Sequence, residues 1–397
     1  MAVKTLPELK LSDLVREYKS SFEDTWEGID KTAKSLKKQL IEAALEAERT
    51  EFLLCRAYER TEERTDYRNG YWTRYIILKD GRLEIKMPRI RGLGYESTVI
   101  RRYQQRTKDV DTALLRIFLY GASTRLTGQA LRPLVGEAVS AQTVSNIAKS
   151  LDGAVRSYHR RRLEDKYLYL FLDGIVLKTR SGSGSKKKTV LVAYGIRLDG
   201  KRELIDFLVA KHESERHWEG FLNNLSRRGL GGDALGLVAT DGNRGLENAV
   251  DTVYPQAKRQ RCWAHKLRNV SDKLRKRDQE QCIKDARAIY NANNRLEANQ
   301  EYRSWAKKWK RTSPDAVRCL ERDLEELLNF YTCPKEMWKK LRTTNVIERA
   351  FREVRRRTRP MTCFNNSQSI ERVVYAVLNH LNSQWSLKPL KEFTHKS

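Results

Sequence analysis

An apolar run at residues 166–180, KYLYLFLDGIVLKTR, places the strongest constraint on the fold. Its β-branched and aromatic residues are typical of a buried strand, and Asp173 stands in the middle of it. The composition changes sharply at this point, because the run follows the basic segment RSYHRRR, Arg156 to Arg162. We therefore predict a domain boundary near Arg160 and a sheet beyond it.

Strand and helix patterns continue along residues 181–262. SGSGSKKK, residues 181–188, indicates a flexible turn into a second strand, TVLVAYGIRL, and Asp199-Gly200 turns into a third, RELIDFLVA. A helical pattern, the buried strand LGLVATDG, another helix and the short strand KRQRC follow. Three antiparallel strands, helix, strand, helix and strand resemble the ribonuclease-H-like fold, a mixed sheet flanked by helices. The predicted fold class is α/β.

The region before Arg160 divides into smaller modules. Residues 1–62 carry apolar side chains at helical spacing, which predicts an N-terminal helical region. In residues 63–100, apolar and polar side chains alternate along two runs joined at Asp80-Gly81, which predicts a small β-hairpin module. Its basic residues suit either DNA phosphates or a solvated strand face. Residues 101–160 favour helices again.

Within this helical region, residues 121–151 suggest a helix-turn-helix, GASTRLTGQALRPLVGEAVSAQTVSNIAKSL. Ser140 would cap its final helix. The exposed side of that helix would present four side chains to DNA: Gln142, Thr143, Asn146 and Lys149. An ordinary helical hairpin with a polar surface explains the same pattern, so both interpretations stay open.

Three further regions follow the boundary. Residues 161–265 are predicted to form the first part of the α/β core, residues 266–342 an α-helical insertion, and residues 343–397 a last catalytic helix with a helical tail. The insertion contains WAKKWKR, residues 305–311, in which tryptophans are interleaved with lysines. This pattern suits DNA contact through stacking, or helices whose tryptophans pack inward.

The charge balance indicates an anionic partner. The chain has 78 Lys and Arg against 51 Asp and Glu, a formal net charge of +27, which favours nucleic acid. No run approaches the roughly 18 apolar residues of a membrane-spanning helix, and the N-terminus lacks the apolar core of a signal peptide. Six cysteines without a CxxC pair suit a reducing compartment. We therefore expect a cytoplasmic protein.

Asp-Gly occurs five times, and this separates turn signals from candidate functional residues. Three of these pairs, at Asp80, Asp152 and Asp199, fit turns or a helix end. Asp173 lies within a strand instead, and Asp241 ends a buried strand and precedes a helix. Because α/β folds place ligand chemistry at such strand ends, we expect these two carboxylates to converge. Converging carboxylates predict two Mg²⁺ or Mn²⁺ ions and phosphoryl transfer on nucleic acid.

A third carboxylate stands on an amphipathic helix at residues 343–359, TTNVIERAFREVRRRTR. At 3.6 residues per turn, one side of this helix is apolar: Val346, Ile347, Ala350, Phe351 and Val354. The other side carries Glu348 with Arg352, Arg355 and Arg359. Glu348 could ligate a metal while the arginines hold a polyanion. Alternatively, Asn345 and Glu348 form a capping box at the helix N-terminus.

Four motifs in order resemble the Mutator-type transposases of bacterial insertion sequences: LDGI, ATDGNRGLENAV, RQRCWAHKLRNV and TTNVIERAFREVRRRTR. RNGY, PRIRG and STRLTGQAL are similar to the family's N-terminal part. The resemblance implies that the catalytic, metal-binding DDE triad falls on Asp173, Asp241 and Glu348. The arginines that follow Glu348 would clamp phosphate: Arg352, Arg355, Arg356 and Arg359.

The resemblance also implies an activity. The protein would be a metal-dependent DDE transposase that cuts double-stranded DNA at the terminal inverted repeats of its element and joins 3′-OH ends to target DNA. A homodimer or larger assembly on DNA and association with the bacterial nucleoid are implied as well. A DNA-binding regulator and a structure-specific nuclease that never joins are the alternatives. An intact acidic triad disfavours the regulator, because buried unpaired carboxylates cost stability.

Cys262 and His265 form a CxxH pair after the strand KRQRC. The resemblance implies a supporting catalytic role, in which His265 contacts the scissile phosphate or its leaving oxygen and Cys262 packs the strand end. A buried structural pair is the alternative. Zinc is disfavoured because no second ligand pair follows at metal spacing. Trp263, between the two, would stack on a base or lie in the core.

Overall fold

A computed structural model describes residues 22–92, 94–136, 138–182, 184–386 and 389–390. Within them the chain divides into two compact units. The first unit comprises the described residues up to Phe118 together with Ser123–Ile147, and the second comprises Leu119–Ala122 and the described residues from Ala148 onward. This division precedes the boundary that we predict near Arg160.

The first unit begins with a long helix on a β-hairpin. Helix α1, Phe22–Leu53, covers much of the predicted N-terminal helical region, and residues 1–21 of that region lie outside the described residues. Strands β1, Arg68–Leu78, and β2, Gly81–Ile90, form the predicted hairpin, and Gly81 adopts φ +116° at the turn. Alternate hairpin side chains form one buried cluster with Leu45 of the helix and with Ile100: Ile76, Leu83, Ile85 and Met87.

Four helices complete the first unit's sequence: α2, Lys108–Leu119; α3, Thr124–Ala130; α4, Arg132–Val135; and α5, Ala141–Ala148. Gly128 permits close contact between α3 and the segment before α5. A Cβ there would lie 1.9 Å from the Val139 carbonyl oxygen, and the Val139 N–H donates to the Gly128 oxygen at 3.0 Å. Only glycine fits such an approach. Helices α3, α4 and α5 occupy residues 121–151, and both interpretations of this stretch, a helix-turn-helix and an ordinary helical hairpin, stay open.

The second unit contains a five-stranded mixed sheet. Its strands are β3, Tyr167–Ser181; β4, Gly184–Arg197; β5, Arg202–Ala210; β6, Leu237–Thr240; and β7, Lys258–Arg261. The spatial order is β5-β4-β3-β6-β7, in which β3, β4 and β5 are antiparallel neighbours and β6 and β7 run parallel to β3. The predicted meander and the two later strands are all present.

One prediction about this sheet is wrong. Residues 181–188 are not a flexible turn, because β3 ends at Ser181 and β4 already begins at Gly184. Ladder pairing continues to these ends, with Lys178 opposite Lys187 and Ser181 opposite Gly184. The lysines remain solvated at the end of this two-stranded extension. The ladder hydrogen bonds pair its backbone N–H and C=O groups, and no charge needs to be buried. We call the five cations Lys178, Arg180, Lys186, Lys187 and Lys188 the basic ribbon.

Helices α6, Asp152–Arg160; α7, Glu215–Arg227; and α8, Arg244–Val253, belong to the same unit. Trp218, Leu222 and Leu246 are fully buried in a core with residues of the sheet. Helix α6 is tied to β5, because the Tyr158 hydroxyl donates to the Leu204 oxygen at 2.5 Å. This contact explains why the second unit starts before Arg160.

The predicted insertion is helical: α9, Trp263–Ser271; α10, Lys276–Asn291; α11, Arg295–Trp309; α12, Pro314–Glu321; α13, Leu324–Leu327; and α14, Trp338–Leu341. Its tryptophans pack inward rather than facing a ligand. Trp305 and Trp309 are buried, and their indole N–H groups donate to the Cys282 oxygen at 3.1 Å and to Asp285 at 3.0 Å. Stacking of these two rings on DNA is therefore excluded.

Two helices follow the insertion: α15, Asn345–Thr358, and α16, Ser367–Trp385. The predicted apolar side of α15 is present, with Ile347, Ala350, Phe351 and Val354 buried. Helix α16 contacts the sheet through Asn382, whose amide bonds both the N–H and the oxygen of Leu204 at 2.8 and 2.9 Å. In the described part of the chain, no helix has the length and apolarity needed to cross a membrane.

Candidate functional site

Asp173 and Asp241 stand at neighbouring positions on adjacent parallel strands. Strands β3 and β6 pair in register from Tyr169 with Leu237 to Phe171 with Ala239. Two residues further along, this register sets Asp173 beside Asp241, which directly follows β6. Neighbouring strands lie about 4.8 Å apart. The sheet therefore brings together two carboxylates that are distant in sequence.

The Asp173 carboxylate is buried and fixed by its own backbone. The Gly174 N–H donates to Asp173 Oδ1 at 2.7 Å. Packing is close at position 174, because a Cβ there would lie 3.1 Å from Thr189 Cγ2 and 3.3 Å from Glu213 Oε2. The Asp-Gly pair in LDGI thus serves close packing beside a carboxylate rather than a turn.

The Asp241 carboxylate is held by a turn into helix α8. The Asn243 N–H donates to Asp241 Oδ1 at 2.9 Å, and Asn243 in turn caps α8 by accepting from the Gly245 N–H at 2.9 Å. Gly242 between them adopts φ +91°, and its carbonyl oxygen accepts a hydrogen bond from the Arg261 guanidinium at 3.0 Å. The strand end, the glycine and the cap together fix where Asp241 lies.

The charges of this region act on one another. Burial, Asp241 and Glu348 raise the pKa of Asp173 to about 7, although the Gly174 N–H and His265 oppose the increase. An aspartate with such a pKa is only partly ionised at neutral pH. The three predicted acids therefore form one electrostatic group, and the structure concentrates negative charge there.

The capping-box interpretation of Glu348 is wrong. Helix α15 begins at Asn345, and its N-cap is Thr344, whose side chain makes no capping bond. The Thr344 N–H and hydroxyl donate instead to the Cys262 sulfur, at 3.3 and 3.4 Å. Glu348 is partly exposed, and its Oε1 lies 4.0 Å from His265 Nε2. A tertiary contact thus sets the helix start, and Glu348 is available for another role.

Cys262 joins three elements at the edge of the sheet. It follows β7, is buried, and its N–H donates to the Thr240 oxygen at 2.9 Å. The residue is also the N-cap of α9, and its sulfur accepts the two bonds from Thr344. Burial raises the pKa of the Cys262 thiol, but the neighbouring His265 and Thr344 outweigh burial and hold this pKa below its usual value. Cys262 therefore positions the helix that carries Glu348.

His265 lies in the first turn of α9, between Cys262 and the acids. Cys262 raises the pKa of His265 most, burial opposes the increase, and the charges of Asp173 and Asp241 add to it, so the pKa is about 9. The imidazole is accordingly protonated at neutral pH. Trp263 is buried, with its indole N–H donating to the Leu327 oxygen at 2.8 Å, so this ring is a core residue and not a base-stacking one.

Glu213 is a fourth carboxylate that sequence reasoning missed. It follows β5 shortly before α7, and its Oε1 accepts from the indole N–H of buried Trp218 at 3.0 Å. Burial and the charge of Asp241 raise its pKa, while the Trp218 bond lowers it. The signal that could have found it is its position: it is another acid at a strand end that precedes a helix.

The predicted phosphate-binding arginines lie along the exposed side of α15. Arg352, Arg355 and Arg356 are exposed on the helix, and Arg359 is exposed in the 3₁₀ turn Arg359–Met361. Arg356 Nε is 3.9 Å from Glu353 Oε2, a loose ion pair. Arg352 and Arg356 are one turn apart, at the i and i+4 positions of the helix, which gathers positive charge beyond Glu348.

The predicted DNA-reading residues lie on and after α5. Ser140 caps this helix as expected, because its Oγ accepts from the Thr143 N–H at 3.1 Å. Gln142 and Asn146 are exposed, and the Gln142 amide donates to Asn146 Oδ1 at 3.1 Å. Thr143 is half-buried with its hydroxyl 2.9 Å from Ser140 Oγ, and Lys149 is exposed in a 3₁₀ turn after the helix. Gln142, Asn146 and Lys149 are thus exposed and Thr143 is half-buried, and contact of these four side chains with DNA stays a prediction.

A mixed sheet with an acidic strand edge in a chain of net charge +27 defines a protein that acts on nucleic acid. The family described as "Transposase, Mutator family" matches residues 10–387. The chain belongs to this family of transposases. It is a DNA transposase, as its relatives are.

Several insertion-sequence transposases are similar to the chain over most of their length. The transposase of ISRM5 from Rhizobium meliloti is 34% identical over 88% of this chain and 87% of its own. The transposase of IS256 in transposon Tn4001 from Staphylococcus aureus is 32% identical over 90% and 91%. That of IS905 from Lactococcus lactis is 30% identical over 88% of both chains.

Among solved structures, a chain of the simian T-cell lymphotropic virus intasome in complex with PP2A regulatory subunit B56 gamma aligns with 52% of this chain and 63% of its own length. The sequence identity is 10% and the TM-score is 0.17. A score this low supports no conclusion about the fold.

Proposed function

We propose that this transposase is a metal-dependent DDE enzyme that cuts at the terminal inverted repeats of its element and joins the freed 3′-OH ends to target DNA. Asp173, Asp241 and Glu348 would be its catalytic acids. The observation that carries the proposal is the buried Asp173 carboxylate, whose pKa of about 7 reflects burial and the negative charges of the other two acids. A sheet with β5-β4-β3 antiparallel and β6 and β7 parallel to β3 supports a ribonuclease-H-like core.

The donor set suits two Mg²⁺ or Mn²⁺ ions, although no three His, Cys, Asp or Glu side chains of the described residues stand close enough to hold a metal as they are placed. Carboxylate oxygens are the ligands that hard divalent cations prefer, and nearby positive charge would relieve the repulsion on Asp173. When bound, the ions supply charge that stabilises the attacking and leaving oxygens of an in-line displacement. Asp173, Asp241 and Glu348 would hold them.

The residues around the acids supply the rest of the chemistry. The protonated His265, 4.0 Å from Glu348, would donate a hydrogen bond to the scissile phosphate as charge develops on it. Cys262 would keep the distance between His265 and Glu348, because it fixes the start of α15 through Thr344. We therefore assign His265 a catalytic role and Cys262 a positioning role.

Cations of the second unit would bind the DNA backbone next to these acids. Arg352, Arg355, Arg356 and Arg359 follow Glu348 on an exposed surface. In the basic ribbon, Lys178 stands directly opposite Lys187, and such like-charge pairs destabilise a sheet unless an anion compensates them. Strand β3 carries both Asp173 and part of the ribbon, so a bound phosphate backbone would extend from the acids along that strand.

Recognition of the element ends would lie in the first unit. The helical hairpin with Gln142 and Asn146 exposed on α5 has the polar amide side chains that read adenine edges in a major groove. Two ends must be held together for joining, so we propose a dimer or larger assembly on DNA. Thr143, which is half-buried, and Lys149, which is exposed in the 3₁₀ turn after the helix, would add contacts to the DNA.

The test is joining of a pre-cut end oligonucleotide to target DNA with Mg²⁺, comparing the wild type with Glu348→Gln. The amide keeps the shape of the side chain but loses its charge and its strong oxygen ligand. We expect normal melting and DNA binding with joining and cleavage abolished in both Mg²⁺ and Mn²⁺.

Glu353→Gln on the same helix is the matched control and should retain joining. It changes a half-buried ion-pair partner of Arg356 and of the buried Arg357, for which the amide oxygen of Gln remains an acceptor, without touching the acids. Substantial joining by Glu348→Gln would refute the triad. Cleavage without joining by the wild type would identify a nuclease instead.

A further inference from the structure

An open cleft in the first unit lies between strand β1 and the segment that follows the hairpin. Residues 101–107 run beside β1, because the Ile77 N–H donates to the Gln105 oxygen at 2.9 Å and the Thr107 N–H donates to the Ile77 oxygen at 3.1 Å. The cleft between them has a volume of about 660 Å³, within the usual range of ligand sites. Six large side chains line it: Trp72, Arg74, Tyr75, Arg82, Arg102 and Tyr103.

Three aromatic rings of this cleft are exposed, at 39% for Trp72, 46% for Tyr75 and 78% for Tyr103. Each has a guanidinium over or beside it. Arg82 lies 3.9 Å from the centre of the Tyr75 ring, Arg102 lies 5.1 Å from that of Tyr103, and Arg74 lies 5.9 Å from that of Trp72. Pairs of exposed rings and arginines present flat apolar faces and positive charge together.

Tyr103 is held in place at a conformational cost. It is the third residue of a turn closed by the Gln104 N–H and the Arg101 oxygen at 3.0 Å, and its φ is +64°. Residues other than glycine are uncommon in this left-handed region, and such strain persists at functional sites. The chain nevertheless places an exposed tyrosine there.

Three hydrogen bonds keep the turn from relaxing. The Arg74 guanidinium donates to the Gln104 oxygen at 2.5 Å, and the Gln104 side chain accepts from the Arg101 N–H at 3.2 Å and donates to the Arg106 oxygen at 3.1 Å. Arg74 is therefore a positioning residue for the turn. The Tyr103 ring itself projects into solvent, so packing of a core does not account for its placement.

We propose that this cleft binds unpaired nucleotides of single-stranded DNA. Bases would stack on the rings of Trp72, Tyr75 and Tyr103, and the arginines would neutralise the phosphates between them. Two carboxylates lie nearby without reversing the charge: Glu84 accepts from the Tyr75 hydroxyl at 3.2 Å, and Glu96 is a distant, exposed partner of Arg102 at 3.8 Å.

Duplex DNA is a poorer occupant, because its bases are already stacked and its backbone needs only cations. A second copy of the chain is also disfavoured, because the rim carries arginines that would repel their equivalents. The inference rests on the proposed function only in taking DNA as the ligand. It requires neither metal nor cleavage.

The test uses the full chain in EDTA with a fluorescent oligothymidylate and, separately, a short duplex of equal length, followed by anisotropy. Tyr103→Ala should weaken single-strand binding roughly tenfold, the scale of one lost base-stacking contact, and leave duplex binding unchanged. Tyr103→Phe should bind as the wild type does. Arg74→Met, which frees the turn, should weaken single-strand binding as Tyr103→Ala does.

Tyr58→Ala is the matched control. Tyr58 is 94% exposed and also has a left-handed backbone, φ +65°, but it does not line the cleft. Tyr58→Ala should leave the affinities for the single strand and for the duplex unchanged. Equal weakening of single-strand and duplex binding by Tyr103→Ala would overturn the proposal, as would an unchanged single-strand affinity with an altered oligomeric state by sedimentation. If the joining test fails while these affinities separate as expected, the proposed chemistry is wrong and the cleft assignment stands.

Discussion

The acidic edge of the second unit and the aromatic cleft of the first unit are built in opposite ways. At the acidic edge, like charges come from strands and a helix far apart in sequence, and a tertiary contact from Cys262 to Thr344 fixes one of them. In the cleft, a hairpin and one adjoining turn supply nearly every side chain, and the rings stay exposed. Burial imposes an electrostatic cost on the acidic edge, whereas the cleft has only local backbone strain. We therefore propose that chemistry depends on the acidic edge of the second unit and that single-strand binding depends on the cleft of the first unit.

Substitution of His265 should separate the two regions most strongly, because it should change the reaction rates and not the affinity for DNA. His265→Ala should slow cleavage and joining by roughly 10² to 10³, the usual cost of losing one donor to a developing charge, while DNA binding stays unchanged. Rates of a single turnover on pre-bound DNA measure this effect. His380→Ala removes an exposed histidine of α16 and serves as the control. Stoichiometric zinc in the purified protein that disappears with His265→Ala would contradict the assignment.

A smaller effect is expected in the helical hairpin of the first unit. Asn146→Ala should reduce the preference for element-end DNA over random DNA roughly tenfold, because a paired amide contact to a base discriminates by about 1–3 kcal/mol. Competition binding at fixed salt measures this preference, and joining by the pre-formed complex should proceed at the wild-type rate. Equal loss of affinity for both DNAs would show that Asn146 contacts the backbone only. Slower joining would show that the hairpin of the first unit also affects the chemistry at the acidic edge.

Much of this architecture follows from sequence patterns. The apolar run around Asp173, the turn at Asp80-Gly81 and the cap at Ser140 are each strong local signals, and the structure contains all three. The contrast among Asp-Gly pairs also picked out the two aspartates on adjacent strands. Such predictions succeed where a local preference and the global fold agree.

The errors occur where a tertiary contact overrides a local preference. Asn345 is a good capping residue by composition, yet the bonds from Thr344 to Cys262 start the helix one position earlier. Glu213 has only the weak sequence signal of an acid between a strand and a helix, and its closeness to Gly174 exists only once β3 and β5 join the same sheet. The 181–188 segment reads as a turn from its Gly and Ser content, but ladder pairing extends the strands through it.

Melting of the full chain with and without Mg²⁺ tests most directly whether Asp173, Asp241 and Glu348 share one site for divalent metal. The pKa of Asp173, about 7, lies above the ordinary value of 3.8, so the folded protein binds more protons between these pH values. Stability from this group is therefore full below pH 4 and falls as pH rises through 7.

Asp173→Asn removes the loss of stability that ionisation of the buried Asp173 carboxylate causes. In EDTA at pH 8 it should melt roughly 1 to 4 °C higher than the wild type, and at pH 4 the difference should vanish. Asp199→Asn, in an exposed Asp-Gly turn, should behave as the wild type. Mg²⁺ should stabilise the wild type and the control, and should fail to stabilise Asp173→Asn. An equal gain from Mg²⁺ in all three proteins, or a variant that melts lower than the wild type in EDTA at pH 8, would contradict the shared site.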